Sequence, residues 1–188
     1  LVVSSSYATN ASIYTNLDYD LLRDIAFVSG GMRSANVLVT NLAVPAQTLP
    51  EFIAYAKANP GKLNYASTGI GSATHMAGEL FKSMTGVDLV HVPYHTNYFP
   101  DLLAGRVQLT FTPIGAALQQ IRDGKLRALG VTGSSRAAVL PSIPAIKEFV
   151  PGYETYIWNG FGAPAGTDAQ IIEKLNAAIN DALVHTSI

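Results

Sequence analysis

Apolar residues along this chain alternate between two rhythms. Thr48-Leu49-Pro50-Glu51 sets a threonine three residues ahead of a glutamate, followed by Phe52, Ile53, Tyr55 and Ala56 on one face at helical spacing. A hydroxyl that accepts from the third amide and a carboxylate that reaches back satisfy a helix start, so the pattern predicts a helix, ended by Asn59-Pro60-Gly61. Residues 63–66 predict a short strand and residues 67–72 a tight loop. Met76, Leu80, Phe81 and Met84 then form the apolar stripe of a second helix that stops at Gly86. The beat recurs as a strand over 89–92, a loop over 93–100, a strand over 107–111, a helix over 114–122 closed by Gly124, and a strand over 128–132. Strands alternating with helices of this length predict an α/β fold with a mostly parallel sheet, whose ligands lie at the carboxyl ends of the strands. After a Pro/Gly-punctuated stretch over 141–152, Thr167-Asp168-Ala169-Gln170 predicts another capping box, opening a last helix marked by Ile171, Ile172, Leu175, Ala178, Ile179, Ala182 and Leu183.

Both ends carry expectations of their own. Leu1-Val2-Val3 opens directly on an apolar run, without the basic, apolar and small-residue regions of a signal peptide or an initiator Met, which predicts a mature or truncated start. The last helical pattern reaches Leu183, five residues from Ile188, and predicts that the polypeptide continues.

Composition narrows the function. With 188 residues, 48% hydrophobic and 13% charged, the chain is globular and can bury roughly 70% of its unfolded surface, enough for one core or two small lobes. Twelve Lys+Arg against thirteen Asp+Glu, with no run of like charges, leave no phosphate-tracking stripe and exclude nucleic acid as a partner. The longest charge-free stretch, 34–50, carries Asn36, Thr40, Asn41, Pro45, Gln47 and Thr48 and cannot cross a bilayer as a helix. The absence of cysteine removes disulfides, Cys-ligated zinc, iron–sulfur clusters and a thiol nucleophile.

The strongest chemical signal lies over residues 65–75, Tyr-Ala-Ser-Thr-Gly-Ile-Gly-Ser-Ala-Thr-His. A strand, a two-glycine turn and a helix start place unpaired backbone amides around one point, and Ser67, Thr68 and Ser72 add hydroxyl donors; the arrangement favours an anion. The plainer reading, glycines making a turn and a hydroxyl capping the helix, stands beside it. His75, in the first turn, either donates to a ligand carboxylate or packs its ring. Ser4-Ser5-Ser6-Tyr7-Ala8-Thr9-Asn10 follows the opening strand and suits a polar ligand or an ordinary strand-to-loop passage.

Other chemistries lack their residues. A dinucleotide fingerprint needs a third glycine where Thr74 stands, and an acid where Pro93-Tyr94 stand. Neither Gly-Lys-Ser/Thr nor Gly-x-Ser-x-Gly occurs. His91 and His95 are four apart, but Pro93 between them bars a shared helical face, so no metal is expected. Trp158, among Tyr153, Tyr156 and Phe161, reads as core or hinge packing.

One series of motifs goes further. Tyr14 with Tyr19-Asp20, Val37-Leu38-Val39, Pro60-Gly61-Lys62-Leu63-Asn64-Tyr65-Ala66-Ser67 and His75-Met76-Ala77-Gly78-Glu79-Leu80-Phe81 begin it. Gly86-Val87-Asp88-Leu89-Val90-His91-Val92-Pro93-Tyr94, Gly124-Lys125-Leu126-Arg127-Ala128-Leu129, Pro151-Gly152-Tyr153-Glu154 and Ala163-Pro164-Ala165-Gly166-Thr167 complete it. In this order, over most of the chain, they resemble the tripartite tricarboxylate transporter substrate-binding receptors, the Bug receptor family.

The resemblance implies an α/β, two-lobed, type II periplasmic-binding-protein architecture, here with a truncated first lobe. Residues 1–37 would belong to lobe one, 38–155 to lobe two, and 156–188 would return into lobe one. It implies a monomeric receptor in the periplasm of a Gram-negative bacterium, its signal peptide absent from this chain. By hinge closure the receptor would capture a small carboxylate (a di- or tricarboxylate, an acidic amino acid or an aromatic acid) for a membrane transporter complex or a sensor. It would catalyse no reaction and carry no cofactor. The ligand-facing positions it implies are Ser5, Ser6, Tyr7 and Asn10 in lobe one, and Ser67, Thr68, Gly69, Ile70, Gly71, Ser72, His75 and Tyr94 in lobe two. After Tyr94 the family usually has Lys or Arg with Gly and a Pro-Ala pair, where this chain reads His95-Thr96-Asn97-Tyr98-Phe99-Pro100. The alternatives are an α/β enzyme using the glycine loop as an anion cradle and a ligand-sensing effector domain.

Overall fold

A computed structural model describes residues 1–184; residues 185–188, the end of the segment expected to return into lobe one, lie outside the described residues. The chain divides into two compact units, one made of Leu1–Arg33 with the chain from Ile157 onward, the other of Ser34–Tyr156.

In the first unit, β1 (Val2–Ser4) leads into α1 (Ser5–Ile13), followed by the single turn α2 (Leu21–Asp24) and β2 (Ile25–Ser34). The serine-rich stretch after the opening strand is thus helical rather than a loop. It has no side-chain cap and buries no residue, so neither capping nor an apolar stripe marks it in the sequence.

The second unit opens with β3 (Asn36–Asn41) and α3 (Leu49–Ala58), then β4 (Leu63–Ser67), α4 (Ala73–Thr85) and β5 (Leu89–Pro93). The short α5 (Phe99–Leu103) lies within the stretch expected to be a loop, and β6 (Leu109–Pro113), α6 (Ile114–Arg122) and β7 (Leu126–Val131) follow. The chain then returns to the first unit as β8 (Ile157–Pro164) and α7 (Ala169–Val184). The first unit's sheet runs β1-β8-β2, with β1 and β8 antiparallel.

The second unit's sheet runs β5-β4-β6-β3-β7. β4 pairs parallel with β5 and β6, whereas β3 pairs antiparallel with both β6 and β7, so the sheet is mixed rather than mostly parallel. β3 enters from β2 without a crossover helix, and that frees it from the parallel direction that βαβ connections impose. All six of its residues are buried. Leu38 joins Leu49, Phe52, Tyr65, Phe81, Phe111 and Tyr153 on one face, while Val37 and Val39 join Ala66, Leu102, Ile114 and Val131 on the other. Each buried Val, Leu, Ile or Phe side chain among them stabilises the fold by about 1.5–3 kcal/mol.

Caps set the helix ends. Thr48 Oγ1 accepts from Glu51 N, and the Glu51 carboxylate accepts from Gln47 N at 2.7 Å. At α7 the cap is Asp168, whose Oδ1 accepts from Gln170 N at 2.8 Å; the expected cap, Thr167, instead donates to the Pro164 carbonyl. Among the described residues no helix is long and apolar enough to cross a membrane.

Thr132 fastens the two segments by which the chain enters and leaves the second unit. Its Oγ1 accepts from Asn36 N at 2.9 Å and donates to the Thr155 carbonyl at 2.8 Å. Its own amide donates to Asn36 O and its carbonyl accepts from Thr155 N, both at 2.9 Å.

Gly78, inside α4, lets that helix lie directly on Tyr65: a Cβ there would fall 2.5 Å from Tyr65 Cε2. Tyr65 is fully buried and stacks on His91 with ring centroids 4.8 Å apart, so the ring has nowhere to retreat. Gly78→Ala gains about 1 kcal/mol of helix propensity but suffers about 1–3 kcal/mol of overpacking. We expect a net loss of stability and a Tm lowered by a few degrees in thermal unfolding; an unchanged or raised Tm would contradict this close approach.

Candidate functional site

The loop from β4 to α4 gathers the polar chemistry of the second unit. Gly69 and Gly71 adopt φ of +122° and +79°, a left-handed region that side chains rarely tolerate, so only glycine suits this turn. Ser72 caps α4: its Oγ accepts from His75 N at 3.2 Å and donates to Gly69 O at 2.7 Å. Four loop amides are satisfied within the loop and the first turn of α4. Thr68 N donates to Thr74 Oγ1, Gly69 N to Ser67 Oγ, and Gly71 N to His75 Nδ1 at 3.2 Å. Ser72 N donates to the Gly69 carbonyl. Among the described residues, no acceptor meets the amides of Ile70, Ala73 and Thr74. They lie at the positive end of a 13-residue helix dipole, which favours an anion there by about 0.3–1 kcal/mol.

Behind the loop runs a connected set of polar side chains. Ser67 Oγ and His91 Nε2 share a 2.6 Å hydrogen bond, and the His91 ring lies against His75 with centroids 4.1 Å apart. His75 Nε2 is 3.9 Å from Glu79 Oε1, one turn along α4. Glu79 also accepts from Tyr65 OH at 2.5 Å and from Lys82 Nζ at 2.9 Å. Burial disfavours the charged ring and draws both histidines below their ordinary pKa, His91 down to about 4 with the His75 charge adding to the effect. Burial acts oppositely on Glu79, but the Tyr65 and Lys82 hydrogen bonds outweigh it and hold the carboxyl below its usual value. The Tyr65 phenol is pushed up, first by burial and then by Glu79.

Tyr94 is tied to the loop only through its main chain, its amide donating to Ser67 O at 3.0 Å. Its hydroxyl donates to Asp101 Oδ2 at 2.7 Å, and the ring packs against the cluster containing Val37 and Ala66, on the sheet face opposite α4. In the first unit, Ser5, Ser6, Tyr7 and Asn10 all sit on α1, where Asn10 Nδ2 donates to Tyr19 OH and Tyr7 makes an edge contact with Tyr19.

His91, Glu79 and Lys82 join Tyr65 behind the loop, although motif reading connected none of these three to it and weighed His91 only as a partner of His95. The i,i+4 spacing of His75 and Glu79 was a visible signal. His91 reaches the loop because β4–β5 pairing sets it beside Tyr65, a register no local pattern announces. Among the described residues no group of three or more His, Asp or Glu is arranged to hold a metal ion.

The family model described as the tripartite tricarboxylate transporter family receptor matches residues 1–188. Protein BugT of Bordetella pertussis is 37% identical over 191 residues, covering 97% of this chain and 58% of BugT. A protein of Pseudomonas sp. strain P51, from the tcbD-tcbE intergenic region, is 35% identical over 187 residues, 97% of this chain and 56% of its own length. Among solved structures, R. palustris Rpa4515 with adipate superposes with a TM-score of 0.89 at 35% identity, covering 99% of this chain and 64% of that one. MatC of Rhodopseudomonas palustris with bound malate gives 0.87 at 28% identity, covering 98% and 64%. The chain thus spans somewhat over half the length of these relatives, and its fold is the α/β fold of periplasmic solute-binding proteins. Matched along its whole length, the chain belongs to the tripartite tricarboxylate transporter receptor family.

Proposed function

We propose that this chain is the ligand-capturing part of a monomeric periplasmic receptor that closes on a small carboxylate and delivers it to a membrane transporter. The observation that carries the reading is the trio of amides at Ile70, Ala73 and Thr74, unpartnered at the start of α4. Relatives whose structures hold adipate and malate point to a dicarboxylate as the natural class. The compact unit Ser34–Tyr156 supports residues 38–155 as lobe two, with 1–37 and 156–188 assigned to lobe one. Ser5, Ser6, Tyr7 and Asn10 then offer hydroxyls and an amide from lobe one, and residues 68–72 with His75 form the lobe-two wall, backed by the buried Ser67. The enzyme alternative is disfavoured by Ser67: the residue is fully buried, and its hydroxyl is held by His91 and by the amide of Gly69. No cofactor enters this reading.

Magnitudes show why a second lobe is needed. Three amides bonding a charged oxygen contribute about 1.5–3 kcal/mol each, while a micromolar Kd needs about 8 kcal/mol after association costs of about 4 kcal/mol or more. Contacts from one loop therefore fall short.

Two measurements test the reading. Titrating the intact protein with adipate and malate by calorimetry should give a Kd in the micromolar range or tighter, and scattering should show a smaller radius of gyration in the ligand-saturated protein. Scattering curves that coincide despite tight binding would exclude closure. The second uses Ala73→Pro. Ala73 is the first residue of α4, and Ser72 before it is extended with ψ of 157°, so proline fits the backbone and deletes only the amide hydrogen. We expect binding weakened about tenfold to a hundredfold with Tm nearly unchanged; unaltered affinity would remove these amides from the site.

A further inference from the structure

The loop spends one of its amides on a histidine. Gly71 N–H donates to His75 Nδ1 at 3.2 Å, so this nitrogen carries a lone pair and the ring is neutral. A proton placed on Nδ1 would set a donor against a donor. The Gly71 amide would be released from the ring, and the imidazolium would supply a second N–H and a positive charge at the same loop. Protonation would thus convert a consumed donor into two available ones, beside the amides of Ile70, Ala73 and Thr74.

The surroundings are arranged to receive one proton and no more. Glu79 Oε1 lies 3.9 Å from His75 Nε2, the ring nitrogen remote from the loop, and stays ionised through its hydrogen bonds from Tyr65 OH and Lys82 Nζ. His91 faces His75 at 4.1 Å between centroids, close enough for two charged rings to repel strongly. Lys82 opposes the charge and Glu79 favours it, and these two with His91 and Tyr65 are the titratable groups that face His75 from α4, β4 and β5.

We infer that the juxtaposed His75 and His91 rings make carboxylate capture proton-linked, the pair taking up one proton as the ligand carboxylate arrives at the Ser67–Ser72 loop. The inference rests on the receptor reading and adds its regulation. The sign follows from linkage: an incoming anion raises the proton affinity of the pair, so binding takes up a proton and strengthens as pH falls. Without ligand both rings sit below their ordinary value, held down first by burial, so the uncharged pair predominates at neutral pH. The gain runs from the raised pKa of the ligand-bound pair down to that of the free pair, and levels off below it.

The experiment is calorimetry of the intact protein with adipate between pH 8 and pH 6, where a carboxylic acid of ordinary pKa, about 4.3, remains ionised. Heats are compared in phosphate and Tris buffers, whose ionisation enthalpies differ. Net uptake of a proton and a Kd at least threefold lower at pH 6 are expected, and His75→Gln, which keeps an acceptor but cannot be charged, should bind with a flat pH profile. Tight binding with equal Kd at both pH values and no proton exchange would overturn the proposal while leaving the receptor reading intact. If adipate and malate bind at no pH, that reading fails instead, and NMR of the ligand-free protein tests the pair by itself. The Gly71 amide resonance should follow the His75 titration in the wild type and be pH-independent in His75→Gln. A Gly71 resonance indifferent to His75, or two rings charging independently at ordinary pKa values, would refute the pairing.

Discussion

A helix begins with amides for which its own backbone supplies no carbonyl, and at α4 this shortage organises the surrounding residues. Ser72 and Thr74 bring hydroxyls to it and His75 brings a ring nitrogen, each taking an amide from the loop or the first turn. What they leave, at Ile70, Ala73 and Thr74, is a compact group of donors on the positive end of a dipole. The left-handed turns at Gly69 and Gly71 fold the chain tightly enough to bring loop amides and helix amides together. On the proposed reading, an anion would need no basic side chain here, which accords with a chain of net charge -1.

The same loop is braced from behind by groups that would be costly if left single. A half-buried carboxylate, a buried phenol and two imidazoles in contact each lose hydration, and each is compensated by the next: Tyr65 and Lys82 by Glu79, His75 by Gly71 N, His91 by Ser67. Gly78 makes the chain of contacts possible by letting Tyr65 approach the helix that carries both Glu79 and His75. Packing and electrostatics are thus joined at one ring.

Much of this was legible from local pattern. The cap at Thr48, the strand at 63–66, the glycine turn, the stripe of α4 and its stop at Gly86 are all written in contiguous residues, and the structure forms them. Features set by distant pairing were not. Nothing near His91 indicates that it will lie beside Tyr65 and meet His75, because strand order decides that. The antiparallel placement of β3 depends on a strand arriving from the other unit, and a rhythm of strands and helices cannot register it. α1 lacked both cap and apolar stripe, and α5 was hidden among Pro93, His95, Asn97 and Pro100, residues that ordinarily mark a loop. Tyr94 directly follows a conspicuous motif, yet nothing local announces that its ring joins the cluster of Val37 and Ala66 and its hydroxyl meets Asp101. In these cases local chemistry was outvoted by topology.

Thr132 has a mechanical meaning. One residue holds both the incoming segment at Asn36 and the outgoing segment at Thr155, through two main-chain and two hydroxyl bonds. The incoming and outgoing segments are therefore riveted to each other inside the second unit, so a strain that enters along one is felt at the other. Valine, which has nearly the same shape, would preserve the two main-chain bonds and remove the two made by the hydroxyl.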